Sequence, residues 1–205
     1  MTSVRRAALT ALRPEPPLPV DTMTAGQFAR RQRVLDAVLE LVSEGADEDL
    51  SMKEIAERSG VALGTIYRYF SSKDHVLAAA LVEWTRGLEQ RLDQHAATTG
   101  SPADQLVEIF RQALRAYERH PTFARILIFV ANSSDPLASE CYRHMGPVVF
   151  STFEPGEVDT KTREQVLTLV GALWYHELVE WVNGRREIDD VQGSLERAAR
   201  FLLPN

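Results

Sequence analysis

The chain has 205 residues, 44% of them hydrophobic and 25% charged, with a formal net charge of −6, the make-up of a globular protein with room for a sizeable core and one or two domains. No run approaches the roughly 18–20 apolar residues of a membrane span; Arg5 and Arg6 are not followed by the apolar stretch of a secretory signal; and the single cysteine, Cys141, has no partner for an internal disulfide, so no membrane partner and a cytoplasmic location are expected. The acidic balance argues for modest non-specific affinity for nucleic acid but does not exclude DNA binding, because Lys and Arg release counterions from phosphates locally.

Residues 1–24 contain Pro14, Pro16, Pro17 and Pro19 and show no periodicity, which reads as a flexible tail. Its Arg5, Arg6 and Arg13 are candidates for minor-groove contacts. Gln27 to Glu44 follows as an amphipathic helix, with Leu35, Val38, Leu39 and Val42 on one face and Gly45 as its stop. Arg30, Arg31 and Arg33 bring positive charge to it. After the acidic Asp47-Glu48-Asp49, Ser51 and Glu54 form an S-x-x-E capping box, and Met52, Ile55 and Ala56 give that short helix one apolar face. Ser59-Gly60 ends it. A second short helix, Ala62 to Phe70, carries Thr65, Tyr67, Arg68 and Tyr69 and no acid. Two small helices at a tight turn, the second rich in phosphate donors, are what a helix-turn-helix needs to enter the major groove.

Each residue of this pair has a chemical role in that reading. Thr65, Tyr67, Tyr69 and Lys73 supply hydroxyl and ammonium donors for phosphates, and Ser51 and Met52 open a helix whose first backbone N–H groups aim at another. Arg68 is the candidate for a bidentate pair with guanine, and Ala62 and Leu63 are suited to a thymine methyl. Gly64 allows close approach to the backbone. Ile55, Val61, Ile66 and Phe70 are expected in the core. The ordered run I-A-x-x-x-G-V-x-x-G-T-I-Y-x-Y-F-x-S-K resembles the DNA-binding signature of the TetR family of bacterial transcriptional regulators. That resemblance implies a DNA-binding head, here residues 25–72, on a helical body, residues 73–205, which holds a small-molecule effector and dimerises. It also supports the tyrosines and Lys73 as contacts. Many members carry Ser or a charged residue where this chain has Ala62 and Leu63, which leaves fewer polar groups for reading bases.

Ser72 caps a helix from Lys73 lined by Leu77, Ala80, Leu81, Trp84 and Leu88, joining head to body. Ser101-Pro102 starts the next, with Leu106, Ile109, Phe110, Ala113, Leu114 and Tyr117 as its stripe; His120-Pro121 breaks it. Phe123 to Ala131 is apolar nearly all round and so expected buried. Asn132 to Pro136 is a turn and a new cap for a helix bearing Leu137, Cys141 and Met145, which Pro147 should kink or end. Glu154 to Thr160 reads as a loop. Thr162 to Asn183 and Asp189 to Leu203 are the closing helices. Leu167 and Gly171 on one, and Ala198 and Leu202 on the other, are surplus to a single core stripe and suggest a homodimer seam. The whole reads as all-α.

The body's aromatic residues suit a mostly apolar cavity between helices, and Phe110, Tyr117, Phe129, Met145 and Trp174 are the candidate wall. The segment H-E-L-V-E at His176 nearly matches the H-E-x-x-H zinc motif but lacks the second histidine; a polar helix face is the plainer reading. Cys141 has no neighbour to activate it. No Ser-His-Asp pattern, P-loop or G-x-G-x-x-G is present, and no cofactor or enzymatic activity is expected. From Phe123 to Leu203 the chain is also similar, more weakly, to repressors of steroid catabolism in actinobacteria, through the aromatic helix spacing, the Pro-Gly loop and W-x-x-E-L-V-E-W-V. The expected function is a repressor that binds a roughly palindromic duplex operator as a homodimer and leaves it on binding a largely apolar effector, of acyl-CoA or steroid type. The alternatives are a metal-dependent enzyme built on His176 and Glu177 with an accessory DNA head, and a DNA-binding protein controlled by a protein partner.

Overall fold

A computed structural model describes residues 16–93, 100–149 and 159–203. Among these the chain forms nine α-helices and no strand: α1 (Ala25–Ser43), α2 (Met52–Ser59), α3 (Leu63–Tyr69), α4 (Lys73–Asp93), α5 (Pro102–Arg119), α6 (Pro121–Ala131), α7 (Pro136–Val149), α8 (Thr160–Val182) and α9 (Ile188–Leu202). The all-α expectation holds.

Most helix starts are written in the sequence. Reciprocal capping boxes open α1 (Thr24 with Gln27), α2 (Ser51 with Glu54) and α5 (Ser101 with Asp104), each satisfying orphan backbone donors. Proline occupies the first turn of α5 and α6, where its missing N–H costs nothing. Asp135 accepts from the N–H groups of Leu137 and Ala138 at the start of α7, and Asp159 from those of Lys161 and Thr162 at α8. Gly60 closes α2 at φ +62°, in the left-handed region that favours glycine.

The helices α1–α3 enclose Val34, Leu35, Val38, Val42, Ile55, Val61, Ile66 and Phe70, all buried. This core is continuous with that of the body through Val76, Leu77, Ala80 and Leu81 of α4. α4 packs most extensively on α7, α5 on α9, and α8 on α9. Thr122 on α6 also donates to the carbonyl of Val42 at 2.9 Å. Head and body therefore share one apolar interior along α4.

The structure corrects three boundaries. The expected tail, residues 1–24, is structured from residue 16: Val20–Thr22 form a 3-10 turn, Leu18 and Met23 pack on the core, and the Leu18 N–H donates to the Arg68 carbonyl at 2.8 Å. Arg5, Arg6 and Arg13 lie outside the described residues. Pro147 does not stop α7, which runs to Val149. Thr160, placed in a loop by sequence, is the first residue of α8, because Asp159 caps it; most of that loop lies outside the described residues.

Candidate DNA-binding face and ligand cavity

The helix α3 stands at the surface of the head. Ala62, Leu63, Gly64, Tyr67 and Arg68 are exposed, and Thr65 is half-buried. Leu63 and Tyr67, at 41% and 49%, are among the most exposed large apolar side chains described. On the opposite face Ile66 and Phe70 are buried. Gly64 has open space where a side chain would stand. Ser51 is exposed at the start of α2. Met52 offers only its backbone there, because its side chain is in the core.

Two expected phosphate donors are placed otherwise. Tyr69 is buried at 4% exposure, and its hydroxyl accepts from Arg30 Nε at 3.4 Å; it sits on the core face with Ile66. Lys73 turns away from α3, donating its ammonium to the Glu48 carbonyl and lying 5.3 Å from the centre of the Phe129 ring. Its partners come from the loop before α2 and from α6. Phe129 is thereby explained as well: it does not line the cavity expected of it but faces this junction.

The junction is dense in hydrogen bonds. Ser71 and Ser72 both donate to Asp135 Oδ2, Ser133 donates to Asp74 Oδ2, and Ser71 N–H donates to His75 Nδ1 at 3.2 Å. Burial works to raise the Asp135 carboxyl, but the hydrogen bonds from Ser72 and Ser71, and from the Leu137 and Ala138 N–H groups, hold it below its ordinary value. Burial lowers His75, with Asp135 partly opposing.

In the body, a cavity of about 220 Å³ opens between α4, α5, α6, α7 and α8. Phe110, Tyr117, Met145 and Trp174 line it. The rings are mutually packed: Phe110 and Trp174 stack with centroids 5.8 Å apart, and Tyr117 lies 6.0 Å from Trp174. The sequence reading did not assign Thr85, Leu88, Leu127, Tyr142, Arg143 or Gly171 to this wall. Leu88 stood in the α4 stripe and Tyr142 among the body aromatics; Arg143 and Gly171 gave no signal. Gly171, expected in a dimer seam, lines the cavity, with nothing within 4 Å of where its side chain would begin. Burial pushes both the Tyr117 and Tyr142 phenols above their ordinary range, so they stay neutral donors. The Thr85 hydroxyl donates back to the Leu81 carbonyl at 2.8 Å.

The H-E-L-V-E segment does not converge. His176 is exposed, Glu177 is 1% exposed and bonded at 2.6 Å to Arg186, and Glu180 is paired with Arg185. These side chains serve the α8–α9 turn. Cys141 is half-buried, and burial raises its thiol.

Comparison with known proteins agrees with this arrangement. A family profile described as bacterial regulatory proteins, tetR family, matches residues 34–80, and one described as tetracyclin repressor-like, C-terminal domain, matches residues 100–202. The chain is 31% identical over 180 residues to the HTH-type transcriptional repressor KstR of Mycolicibacterium smegmatis, covering 86% of this chain and 88% of that protein. It is 31% identical over 186 residues to KstR of Rhodococcus jostii, covering 89% and 87%. The crystal structure of a TetR transcriptional regulator from Rhodococcus sp. RHA1 matches with a TM-score of 0.75 at 29% identity, over 88% of this chain and 98% of that one. Thermus thermophilus FadR, in complex with lauroyl-CoA, shares the fold at a TM-score of 0.65 and 19% identity, over 84% and 92%.

Proposed function

The chain belongs to the TetR family of bacterial regulatory proteins, and from that premise we propose that it is a transcriptional repressor which leaves its operator when a largely apolar small molecule enters the body cavity. The observation that carries this reading is α4, one helix whose first turn meets the helix-turn-helix and whose Thr85 and Leu88 line the apolar cavity. Ligand and DNA thus act on the same rigid element.

The head reads DNA with α3. Tyr67 and Thr65 meet phosphates, Arg68 a guanine, and Leu63 with Ala62 a thymine methyl. Tyr69 supports the helix from inside. Lys73 and Phe129 couple head to body, and residues 25–72 and 73–205 remain useful divisions of labour despite their shared core. Two copies bind a roughly palindromic duplex operator, with half-sites about one helical turn apart. Leu169 on α8 and Phe201 on α9, 57% and 84% exposed, are the apolar surface for the homodimer, in place of Gly171. Ligand shifts the population towards a head spacing that does not fit the operator, to the extent that it binds that state better. The named function of the KstR relatives supports repression, and the lauroyl-CoA in FadR gives a fold-level precedent for an acyl-CoA or steroid-type effector.

The test is selection of operator from random duplex DNA, followed by displacement with acyl-CoA and steroid-acid thioesters. A selected approximate palindrome, released by one of these ligands, is the expected result. Failure to enrich any sequence would overturn the DNA-binding role; an operator complex indifferent to every apolar ligand would favour control by a protein partner.

A further inference from the structure

Resting on the reading of α3 as the helix that meets DNA, we propose that the proline-rich segment 16–23 is a positioning strap for it. The Leu18 N–H holds the Arg68 carbonyl at 2.8 Å, and through that bond the strap sets how Arg68 meets a base without itself touching the operator.

The end of α3 needs outside support. The helix is seven residues long, and Ala62 at its start lends no side-chain cap. A helix of this length is unstable alone, and the carbonyls of its last turn have no partner within it. Leu18 gives one of them a donor from outside the helix-turn-helix. The next two residues are held by α1. The Tyr69 hydroxyl accepts from Arg30 Nε at 3.4 Å, and Arg31 Cζ lies 5.1 Å from the centre of the Phe70 ring. Three successive residues are thus each fixed by a different group, while the Arg68 side chain stays exposed. A guanidinium that pairs bidentately with a base edge has to be placed to within about 0.5 Å. The backbone of Arg68 is the part that the strap holds.

The strap is built for this. Pro16, Pro17 and Pro19 have no N–H and a fixed φ, so the Leu18 N–H is the one backbone donor from 16 to 19, and no neighbour can replace it by a slip in register. The prolines also lessen the entropy lost in ordering the segment. Beyond Pro19 the chain closes on itself: Thr22 N–H and Oγ1 both donate to the Pro19 carbonyl, at 3.1 and 2.8 Å, and Met23 N–H donates to the Val20 carbonyl. Thr24 then caps α1, and Leu18 and Met23 pack on the core. A continuous bonded path therefore joins the cap of α1 to the last turn of α3. Residues 16–24 include no Lys or Arg, and their one charged side chain is Asp21, so the strap has no cation with which to hold a phosphate. Its route to the operator is α3.

The experiment compares Leu18→Pro with Leu18→Ala in the full chain. Both lose the leucine side chain; only the first loses the N–H, at a site already flanked by prolines. An operator selected from random duplex DNA and an unrelated duplex of equal length are titrated by fluorescence anisotropy over a range of salt. Leu18→Pro should bind operator about threefold to tenfold more weakly than Leu18→Ala, as expected of one neutral hydrogen bond, with the same salt slope and equal affinity for the unrelated duplex. In an Arg68→Ala background the difference should vanish, which a general loss of stability would not produce. Equal operator affinity of the two variants overturns the proposal. So does a shallower salt slope for Leu18→Pro, which makes the strap a phosphate contact, and so does a difference that survives Arg68→Ala. If Leu18→Pro does not fold, amide exchange in the wild-type chain decides. A Leu18 N–H protected in the free protein and further protected on operator binding upholds the strap; protection that is absent, or unchanged by operator, overturns it. A wild-type chain that enriches no operator fails the DNA-binding reading and the strap with it, whereas every other failure leaves that reading standing.

Discussion

Ser72 donates its hydroxyl to Asp135 Oδ2 at 2.5 Å, across 63 residues of chain. Ser72 is also the cap of α4, accepting from His75 N–H at 3.1 Å, and Asp135 is the cap of α7. The two caps are bonded to each other at the point where the recognition helix ends and the body begins. Asp135→Ala removes a cap and the acceptor for both serines, and should cost about 2 kcal/mol of stability. A double-mutant cycle with Ser72→Ala, read by urea denaturation, should give a coupling of about 0.5–1.5 kcal/mol. Strictly additive effects would show that the bond contributes nothing.

The tyrosines of α3 should separate by assay. Tyr67→Phe removes an exposed hydroxyl and should weaken operator binding by about 0.5–1.5 kcal/mol with no change in melting temperature. Tyr69→Phe removes a buried hydroxyl whose hydrogen-bond partner among the described residues is Arg30, and should act on stability rather than on affinity. The reverse pattern in gel-shift and melting data would restore Tyr69 as the contact.

The head was legible because its signals are local: the capping box at Ser51, glycine at position 60, and apolar spacing through Ile66 and Phe70. What the sequence could not show was direction. Lys73 at a helix start reads as a phosphate donor until folding brings the Glu48 carbonyl and the Phe129 ring beside it. Phe129 lies on a helix that is apolar on most sides, so periodicity does not say which neighbour it meets. The Leu18–Arg68 bond is backbone to backbone and leaves no trace in residue type. Gly171 contributes to the cavity through the absence of a side chain, which a search for aromatic walls passes over.

Acid should loosen the junction. Burial holds His75 below its ordinary value of 6.5, against the pull of Asp135, with Arg31 lowering it and Glu140 raising it. The neutral ring accepts from Ser71 N–H at Nδ1, which a proton there forbids. As pH falls the unfolded chain takes up this proton first, so the contribution is complete above about pH 6.5 and is lost as pH drops through the depressed folded value. Denaturation midpoints should therefore fall from pH 7.5 to 5.5, and fall less in His75→Gln. Parallel curves for the two proteins would clear His75 of the effect.

Phe201→Glu and Leu169→Glu place charge on exposed apolar positions of α9 and α8. Surface changes of this kind leave a monomer's stability within about 0.5 kcal/mol, so folding should survive while dimerisation and operator binding fail together. Sedimentation at micromolar concentration decides it: variants that remain dimeric would move the interface elsewhere.

Glu177 is buried, and its one charged partner among the described residues is Arg186, which lies in the α8–α9 turn. Arg186→Ala leaves that carboxylate uncompensated and should cost about 3 kcal/mol. Arg186→Met with Glu177→Gln should recover much of the loss. A single variant as stable as wild type, by chemical denaturation, would mean that Glu177 finds another donor.

The continuity of α4 has a mechanical consequence. Its 21 residues run without interruption from the end of the helix-turn-helix past the cavity wall, and with a rise of about 1.5 Å per residue Thr85 stands about 18 Å from Lys73. A tilt of about 5° pivoting at Thr85 therefore swings the Lys73 end through about 1.6 Å, more than half the length of a hydrogen bond. On the proposed reading the helix would be a lever arm with its short end on the ligand, and a wall displacement too small to disturb the core would be enough to carry α3 out of register with the operator groove.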